Sequence, residues 1–261
     1  MKATLWQGHF GSYKMQDNRF MNTAAATAAQ TDVGLRAYML GVYNHMTIAL
    51  LFSGLFAFGT KMLATVAGPD GGLYLTSFGQ LIYTTPLKWV VMLAPLGMVF
   101  WLSARMNKMP ASKARTLFYV YSALMGLSLS SILLTYSMPS VARAFFVTAG
   151  AFAALSIYGY TTKRSLSALG SFMMIGLFGL IIASVVNIFL ASTAMHFVIS
   201  IGGVLIFAGL TAYDTQDIKN MYRAGDSSEV AAKKSIFGAL RLYLDFINMF
   251  MFILHLFGNR Q

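Results

Sequence analysis

The sequence contains no cysteine and very little charge. The absence of cysteine from all 261 residues excludes both a disulfide framework and a thiolate metal site. Charged residues make up 10% of the chain and hydrophobic residues 57%, whereas a soluble domain has about 25% charged residues. Residues 1–30 also lack the continuous apolar core of a secretory signal peptide. These features predict a polytopic membrane protein that begins with a polar tail.

Long apolar stretches predict the architecture. A spanning helix needs about 20 mainly apolar residues, and seven stretches have that length: 37–60, 86–104, 116–137, 141–161, 168–192, 195–216 and 236–257. Their length and lack of alternation argue against the strands of a barrel wall. We therefore expect an all-α membrane protein with seven transmembrane helices in a domain covering residues 33–261. Residues 1–32, rich in Ala and Thr, are expected to form a disordered cytoplasmic tail.

The distribution of basic residues predicts the orientation in the membrane. With seven spans, most of the 19 Lys and Arg residues fall on the N-terminal side, and the other side has only Lys61, Lys88, Arg143 and Arg260. Because cytoplasmic loops carry the Lys/Arg excess, we expect the N-terminus inside and the C-terminus outside. The net charge of +11 then reflects the orientation in the membrane and an attraction to anionic lipid of the inner leaflet. No nucleic-acid partner is expected.

Two acidic residues lie within the predicted spans. Asp214 occurs in GLTAYDTQDIK (209–219), near the cytoplasmic end of the sixth span, and Asp245 lies inside the seventh. About nine helical residues place Asp245 about 13 Å into its helix, so the two carboxylates can meet if the helices are neighbours. A charge at the bilayer centre costs at least about 2.5–3.5 kcal/mol on insertion scales. Two acidic residues kept within the spans at this cost indicate that they have a function.

The seventh span also has a narrow polar seam. Arg241, Asp245 and Asn248 recur at i, i+4 and i+7, and the remaining surface is apolar, which is typical of a helix inside a bundle. Two interpretations stay open at this point. In the first, Asp245 pairs with Arg241 one turn away and Asp214 caps loop amides. In the second, Asp214 and Asp245 face each other and share a proton, which would make them a pH-dependent latch.

Carboxylate oxygens are also the ligands that Ca²⁺ prefers. Because Ca²⁺ takes about six to eight oxygens, two carboxylates alone would provide a weak, transient stop along a pathway rather than a storage site.

Two segments resemble the signature segments of a known family. LYLDFINMFMFILHLFG (242–258) and AYDTQDIK (212–219), together with the seven-span layout and SVVNIFL (184–190), resemble the Bax inhibitor-1 family, also called the transmembrane Bax inhibitor motif family. The resemblance covers residues 33–258, and the N-terminal region is similar to bacterial members.

The resemblance implies six helices around a central seventh and a pH-sensitive Ca²⁺ leak. It assigns Asp214 and Asp245 as the pH sensor and as weak, transient Ca²⁺ ligands. Similar family members have a latching arginine late in the second helix, where this chain has Ser103, with Arg105 about half a turn further. Arg105 and Arg241 are therefore the candidate latches. Asn187 and Asn248 are expected to make supporting interhelical hydrogen bonds.

Two other functions are compatible with acidic residues in the membrane or with the charged loop: an intramembrane protease and a membrane regulator. An intramembrane aspartyl protease also needs two membrane aspartates, but Asp245 is preceded by Leu-Tyr-Leu rather than Gly-x-Gly and no Pro-Ala-Leu follows. We therefore expect no enzyme and no cofactor, with Ca²⁺ as a transported ion. The alternative is a non-transport regulator of the bacterial inner membrane that binds a membrane protease or another membrane protein. The mixed-charge segment 217–235, predicted to be a solvated cytoplasmic loop, offers a surface for it.

Overall fold

The computed structural model describes residues 7–70 and 72–259, and helices dominate it. They are α1 (Gln7–Ala64), α2 (Ser77–Tyr83), α3 (Leu87–Arg105), α4 (Ala111–Leu129), α5 (Ile132–Thr135), α6 (Met138–Thr161), α7 (Ser167–Leu190), α8 (Thr193–Met221) and α9 (Ser228–Phe257). Within this described part, seven segments are long and apolar enough to cross a membrane: α1 from Val33 onward, α3, α4 together with α5, α6, α7, α8 and α9. The predicted all-α fold with seven spans is confirmed.

Helix α1 begins ahead of the predicted membrane domain. Its bounds, Gln7–Ala64, include most of the segment 1–32. Side chains are described only from Val33 onward, where the membrane-length part of the helix starts. The division into a disordered cytoplasmic tail and a domain from residue 33 therefore stays a prediction, and residues 1–6 lie outside the described residues.

Helix α9 is the centre of the bundle, as predicted for the last span. In its most apolar stretch of 18 residues, 67% of the residues are buried inside the protein, against 0% for α7. It packs against α1, α4, α6 and α8, whereas α3 packs mainly on α4 and α7 mainly on α8. The physical reason is that a helix apolar around most of its surface can be covered on every side by other helices. Its side chains at Leu242, Tyr243 and Met249 are fully buried.

The predicted solvated loop 217–235 is mostly helical, so that interpretation was wrong. Helix α8 continues to Met221 and α9 starts at Ser228, because the Ser227 hydroxyl accepts the N–H of Val230 at 3.3 Å and so begins the new helix early. Glu229 accepts the N–H of Ala111 at 2.7 Å and caps α4 from a distant part of the chain. The charged residues here hold helix ends together.

A small hairpin occupies the connection between α1 and α2, although no strands were expected. Strands β1 (Thr65–Ala67) and β2 (Leu73–Leu75) pair in antiparallel fashion. The Tyr74 hydroxyl donates to Asp70 Oδ2 at 2.8 Å and the Gly72 N–H to Oδ1 at 3.2 Å. These hydrogen bonds, the one from Tyr74 above all, lower the pKa of Asp70. The signal in the sequence was the Pro-Asp-Gly turn at 69–71.

A glycine allows α6 and α8 to approach closely. A Cβ atom at Gly159 would overlap the backbone carbonyl of Ala212, so only hydrogen fits at this crossing. Small residues at such contacts let membrane helices gain packing energy through close backbone approach. Because Ala212 is two residues ahead of Asp214, this contact also sets the position of that carboxylate relative to α6.

Candidate functional site

Four charged side chains converge where α8 and α9 pack together. Asp214 and Asp217 are spaced i, i+3 on α8, and Arg241 and Asp245 are spaced i, i+4 on α9. Each spacing puts both members on one face of a helix. Because only residues 222–227 separate the two helices, they run antiparallel as neighbours. Local helical periodicity and a short connection thus bring residues of two different spans together.

Arg241 binds the two α8 carboxylates. Its Nε donates to Asp214 Oδ2 at 3.1 Å and its Nη2 to Asp214 Oδ1 at 2.5 Å. Nη1 donates to Asp217 Oδ2, also at 2.5 Å. This fork uses the planar guanidinium in the bidentate geometry that makes arginine–carboxylate pairs strong and directional. Arg241 therefore joins α9 to α8 and forms no ion pair with Asp245 one turn along its own helix.

Asp245 lies against Asp214 in the interior of the bundle. The exposed fractions of the two residues are only 5% and 8%, and their carboxyl groups are within hydrogen-bonding reach of each other. Asp245 Oδ2 has no hydrogen-bond partner in the described part of the chain. A hydrogen bond between two carboxyl groups requires one proton, since two ionised carboxylates at this range repel. The structure thus brings the two predicted residues together in an arrangement that can hold a single proton.

The carboxyl pair lines a cavity of about 530 Å³ between α7, α8 and α9, which is partly open to the outside of the bundle. Asp214, Arg241, Asp245 and Asn248 form its polar part together with Ser184 of α7. The lining residues of α7 run from Met174 to Ile188, which corresponds to about 21 Å of helix, and most of this wall is apolar. A small cation can be held at the polar part, but the apolar remainder opposes passage of a hydrated ion.

The remaining residues predicted for the site are Arg105, Asn248 and Asn187. Arg105 is exposed at the end of α3 and forms no ion pair in the described ranges; Arg241 is the base beside the carboxyl pair. Asn248 lines the cavity, although its amide donates to Leu244 O on its own helix at 2.8 Å. Asn187 accepts the N–H of Ser192 at 3.1 Å. It stabilises the turn after α7, where Ala191 has a φ of 48°, and these two hydrogen bonds do not join separate helices.

Asp217 was missed as a site residue, because it was assigned to the margin of a loop. The i, i+3 spacing from Asp214 was the available signal, since it places Asp217 on the same face once the helix is continued by one turn. The helix does continue, to Met221. Asp217 then becomes the second carboxylate held by Arg241.

The fold and the site together define a class of protein: a multi-pass integral membrane protein whose central, C-terminal helix carries ionisable groups inside the bundle. Comparison with known families agrees with this class. The family "Inhibitor of apoptosis-promoting Bax1" matches residues 35–261. The chain belongs to this family, as the resemblance of its two signature segments predicted.

Bacterial relatives match over nearly their whole length. The inner membrane protein YbhL of Escherichia coli (strain K12) is 43% identical, over 89% of this chain and 95% of the relative. An uncharacterized protein of Caulobacter vibrioides is 45% identical, over 88% and 91% of the two chains. The uncharacterized protein RP147 of Rickettsia prowazekii is 43% identical, over 88% and 92%.

Proposed function

We propose that this protein is a pH-sensitive Ca²⁺ leak pathway of the bacterial inner membrane, with its N-terminus in the cytoplasm, gated by the Asp214–Asp245 pair. The observation that carries the proposal is the contact between these two buried carboxyl groups on the wall of a cavity between α7, α8 and α9. Intramembrane ionisable residues that face a cavity are typical of ion pathways and proton-dependent transport. The YbhL relative is named as an inner membrane protein, which supports the inner membrane as the location.

Arg241 holds the closed state. Its guanidinium neutralises Asp214 and Asp217 and joins α9 to α8. A base in this position occupies the place that a transported cation would take, so Ca²⁺ and Arg241 compete for the same carboxylates. With Arg241 on Asp214, the shared proton is carried by Asp245, which donates it to Asp214 in a hydrogen bond.

Loss of that proton favours opening. Ionised Asp245 adds a third negative charge beside a single arginine, and the cluster then attracts a divalent cation. Two unit charges about 4 Å apart interact with about 4 kcal/mol at an effective dielectric constant of about 20. Conformational states of proteins typically differ by a few kcal/mol, so one charge is enough to shift the population. Raising the pH on the side from which the cluster is reached therefore favours the open state, and lowering it favours the closed state.

Ca²⁺ suits the cluster as a transient ligand. The cavity presents carboxylate oxygens, which bind hard cations, but the two carboxyl groups on its wall supply fewer than the about six to eight oxygens of a tight Ca²⁺ site. An ion that binds weakly can leave again, which conduction requires.

The test is Ca²⁺ flux into liposomes that contain the purified protein, measured from about pH 5 to about pH 8. Wild-type flux is expected to rise with pH by up to about tenfold per unit, because one titrating group changes its ionised fraction at most that steeply. Asp245→Asn removes the proton that is exchanged, so its flux is expected to be independent of pH. Asp214→Asn is expected to raise flux at low pH, because Arg241 loses its bidentate partner.

Asp70→Asn is the matched control, since Asp70 lies in the exposed hairpin and bonds only to its neighbours there. It is expected to follow the wild-type curve. Identical curves for all four proteins would show that the carboxyl pair is not the sensor. Flux no higher than in empty liposomes would favour the alternative function, a membrane regulator that binds a membrane protease or another membrane protein.

A further inference from the structure

A second feature of the molecule is a groove between α1 and α6 on the outside of the bundle. Its larger part, about 710 Å³, is lined on α1 from Arg36 to Leu50 and on α6 from Phe145 to Thr161. A smaller part of about 290 Å³ continues toward the far end of α1, as far as Phe58. Leu50, Phe145 and Phe246 line both parts. We refer to the two parts together as the α1–α6 groove.

The groove exists because α1 and α6 both pack onto α9. Phe246 of α9 forms its floor, with ring centroids 5.5 Å from Phe145 and 5.6 Å from Phe152. Ala149 and Ala153 of α6 are too small to fill the space above this floor. The result is a concave apolar surface that faces away from the bundle centre and lies apart from the Asp214–Asp245 cavity.

Positive charge collects at one end of the groove. Arg36 lines this end, is exposed, and forms no ion pair in the described part of the chain. Lys219 Nζ donates to the carbonyl of Tyr160 at 2.8 Å and lies 4.9 Å from the Tyr160 ring, which itself lines the groove. The lining contains no acidic residue. By the Lys/Arg distribution this is the predicted cytoplasmic end.

The dimensions match one lipid leaflet. From Arg36 to Leu50 the α1 helix rises about 21 Å, and from Arg36 to Phe58 about 33 Å, against a hydrocarbon core of about 30 Å. The larger part of the groove therefore extends from the head-group region to about the bilayer centre. Its wall includes Leu40 and Ile157, whose exposed fractions are 53% and 64%, which suits contact with an acyl chain.

We propose that the larger part of the α1–α6 groove binds an anionic phospholipid of the cytoplasmic leaflet, with its phosphate at Arg36 and an acyl chain along α1 and α6 over Phe246. The exposed cation at one end and the largely apolar far half are complementary to the two ends of such a lipid. A second copy of this chain fits less well, because it would bring another protein of net charge +11 against the same bases. The proposal does not depend on Ca²⁺ transport.

Binding can be measured by native mass spectrometry of the full chain in detergent, titrated with phosphatidylglycerol or phosphatidylcholine of identical acyl chains. Wild type is expected to bind phosphatidylglycerol at least about fivefold more tightly, since one Lys or Arg near the membrane surface contributes that much for an anionic lipid. Arg36→Gln is expected to lower this preference about fivefold. Arg105→Gln removes another exposed base, which lies outside the groove, and is expected to leave the preference unchanged.

A second pair of variants tests the groove itself. Ala153→Phe fills it and is expected to abolish retention of both lipids, whereas Ala154→Phe adds the same volume to a neighbouring exposed position that does not line it. Equal melting temperatures of the two variants would show that Ala153→Phe folds, and Ala153→Leu is the smaller replacement if it does not. Equal affinity of wild type for the two lipids, or no effect of Arg36→Gln, would overturn the proposal. So would a dimer of the wild type that only Ala153→Phe disrupts, since the groove would then be an interface between copies.

Discussion

Replacing Arg241 by leucine is expected to destabilise the folded protein by about 3 kcal/mol and to remove the closed state. Breaking a buried ion pair by deleting one partner costs about 3–5 kcal/mol, because the other charge stays buried without compensation. We expect a cost at the lower end of this range because the Asp217 side chain is 36% exposed and partly solvated. Thermal unfolding in detergent measures the first effect. Ca²⁺ flux into liposomes at low pH, where the proposed function expects the wild type to be closed, measures the second.

The partner residues provide the controls for Arg241→Leu. Adding Asp214→Asn to Arg241→Leu removes the uncompensated charge, so the double variant is expected to recover part of the lost stability while its flux stays high at low pH. Arg105→Leu deletes a base that is exposed and unpaired in the described part of the chain, and is expected to change stability by less than about 0.5 kcal/mol. Wild-type melting temperature and flux in Arg241→Leu would contradict the assignment of Arg241 as the latch.

Gly159→Ala is expected to destabilise the protein by about 1–3 kcal/mol, the cost of forcing an extra methyl group into a well-packed contact. The added Cβ atom would overlap the backbone carbonyl of Ala212 on α8, and backbone cannot move aside as a flexible side chain can. Displacing α8 at Ala212 also shifts Asp214 relative to Asp245. The flux-against-pH curve of Gly159→Ala is therefore expected to be altered together with its melting temperature.

Gly150→Ala is the matched control on the same helix. A Cβ atom at Gly150 meets nothing within 4 Å, so the substitution there gains the about 0.5–1 kcal/mol by which alanine exceeds glycine in a helix. The two variants should thus shift the melting temperature in opposite directions. Shifts of the same sign would mean that the close approach of α6 and α8 does not limit stability.

The latch is where this chain departs from what the family resemblance implied. The resemblance implied a latching arginine late in the second span, where this chain has Ser103, and the candidate half a turn further, Arg105, is exposed. Arg241 instead supplies the guanidinium from the central helix α9. It lies one helical turn from Asp245, so the base and one acid of the carboxyl pair are on the same helix. A movement of α9 relative to α8 would separate Arg241 and Asp245 from Asp214 together. Loss of the ion pair and loss of the contact between the two carboxyl groups would therefore be coupled.

The local sequence predicted the spans and the two intramembrane acids. Backbone N–H and C=O groups must all be satisfied inside lipid, so an apolar stretch of membrane length has to be helical. Each of the seven predicted spans is helical, and the third is interrupted between α4 and α5. The i, i+4, i+7 seam of α9 identified the polar face that lines the cavity for the same local reason. Helix ends were harder to predict from local sequence. The start of α4, for example, is capped by Glu229, a residue 118 positions away.

By itself, the sequence determined the number of membrane spans and the presence of two buried carboxylates. It also determined the central position of the last span, which is apolar apart from one polar seam. Only the tertiary structure decided which groups touch: Arg241 with Asp214 and Asp217, Asp245 with Asp214, and Gly159 with Ala212. The physical reason is that periodicity specifies the face of a helix that is buried. The partner across that face depends on the register and crossing of two helices, which are set by packing between residues distant in the chain.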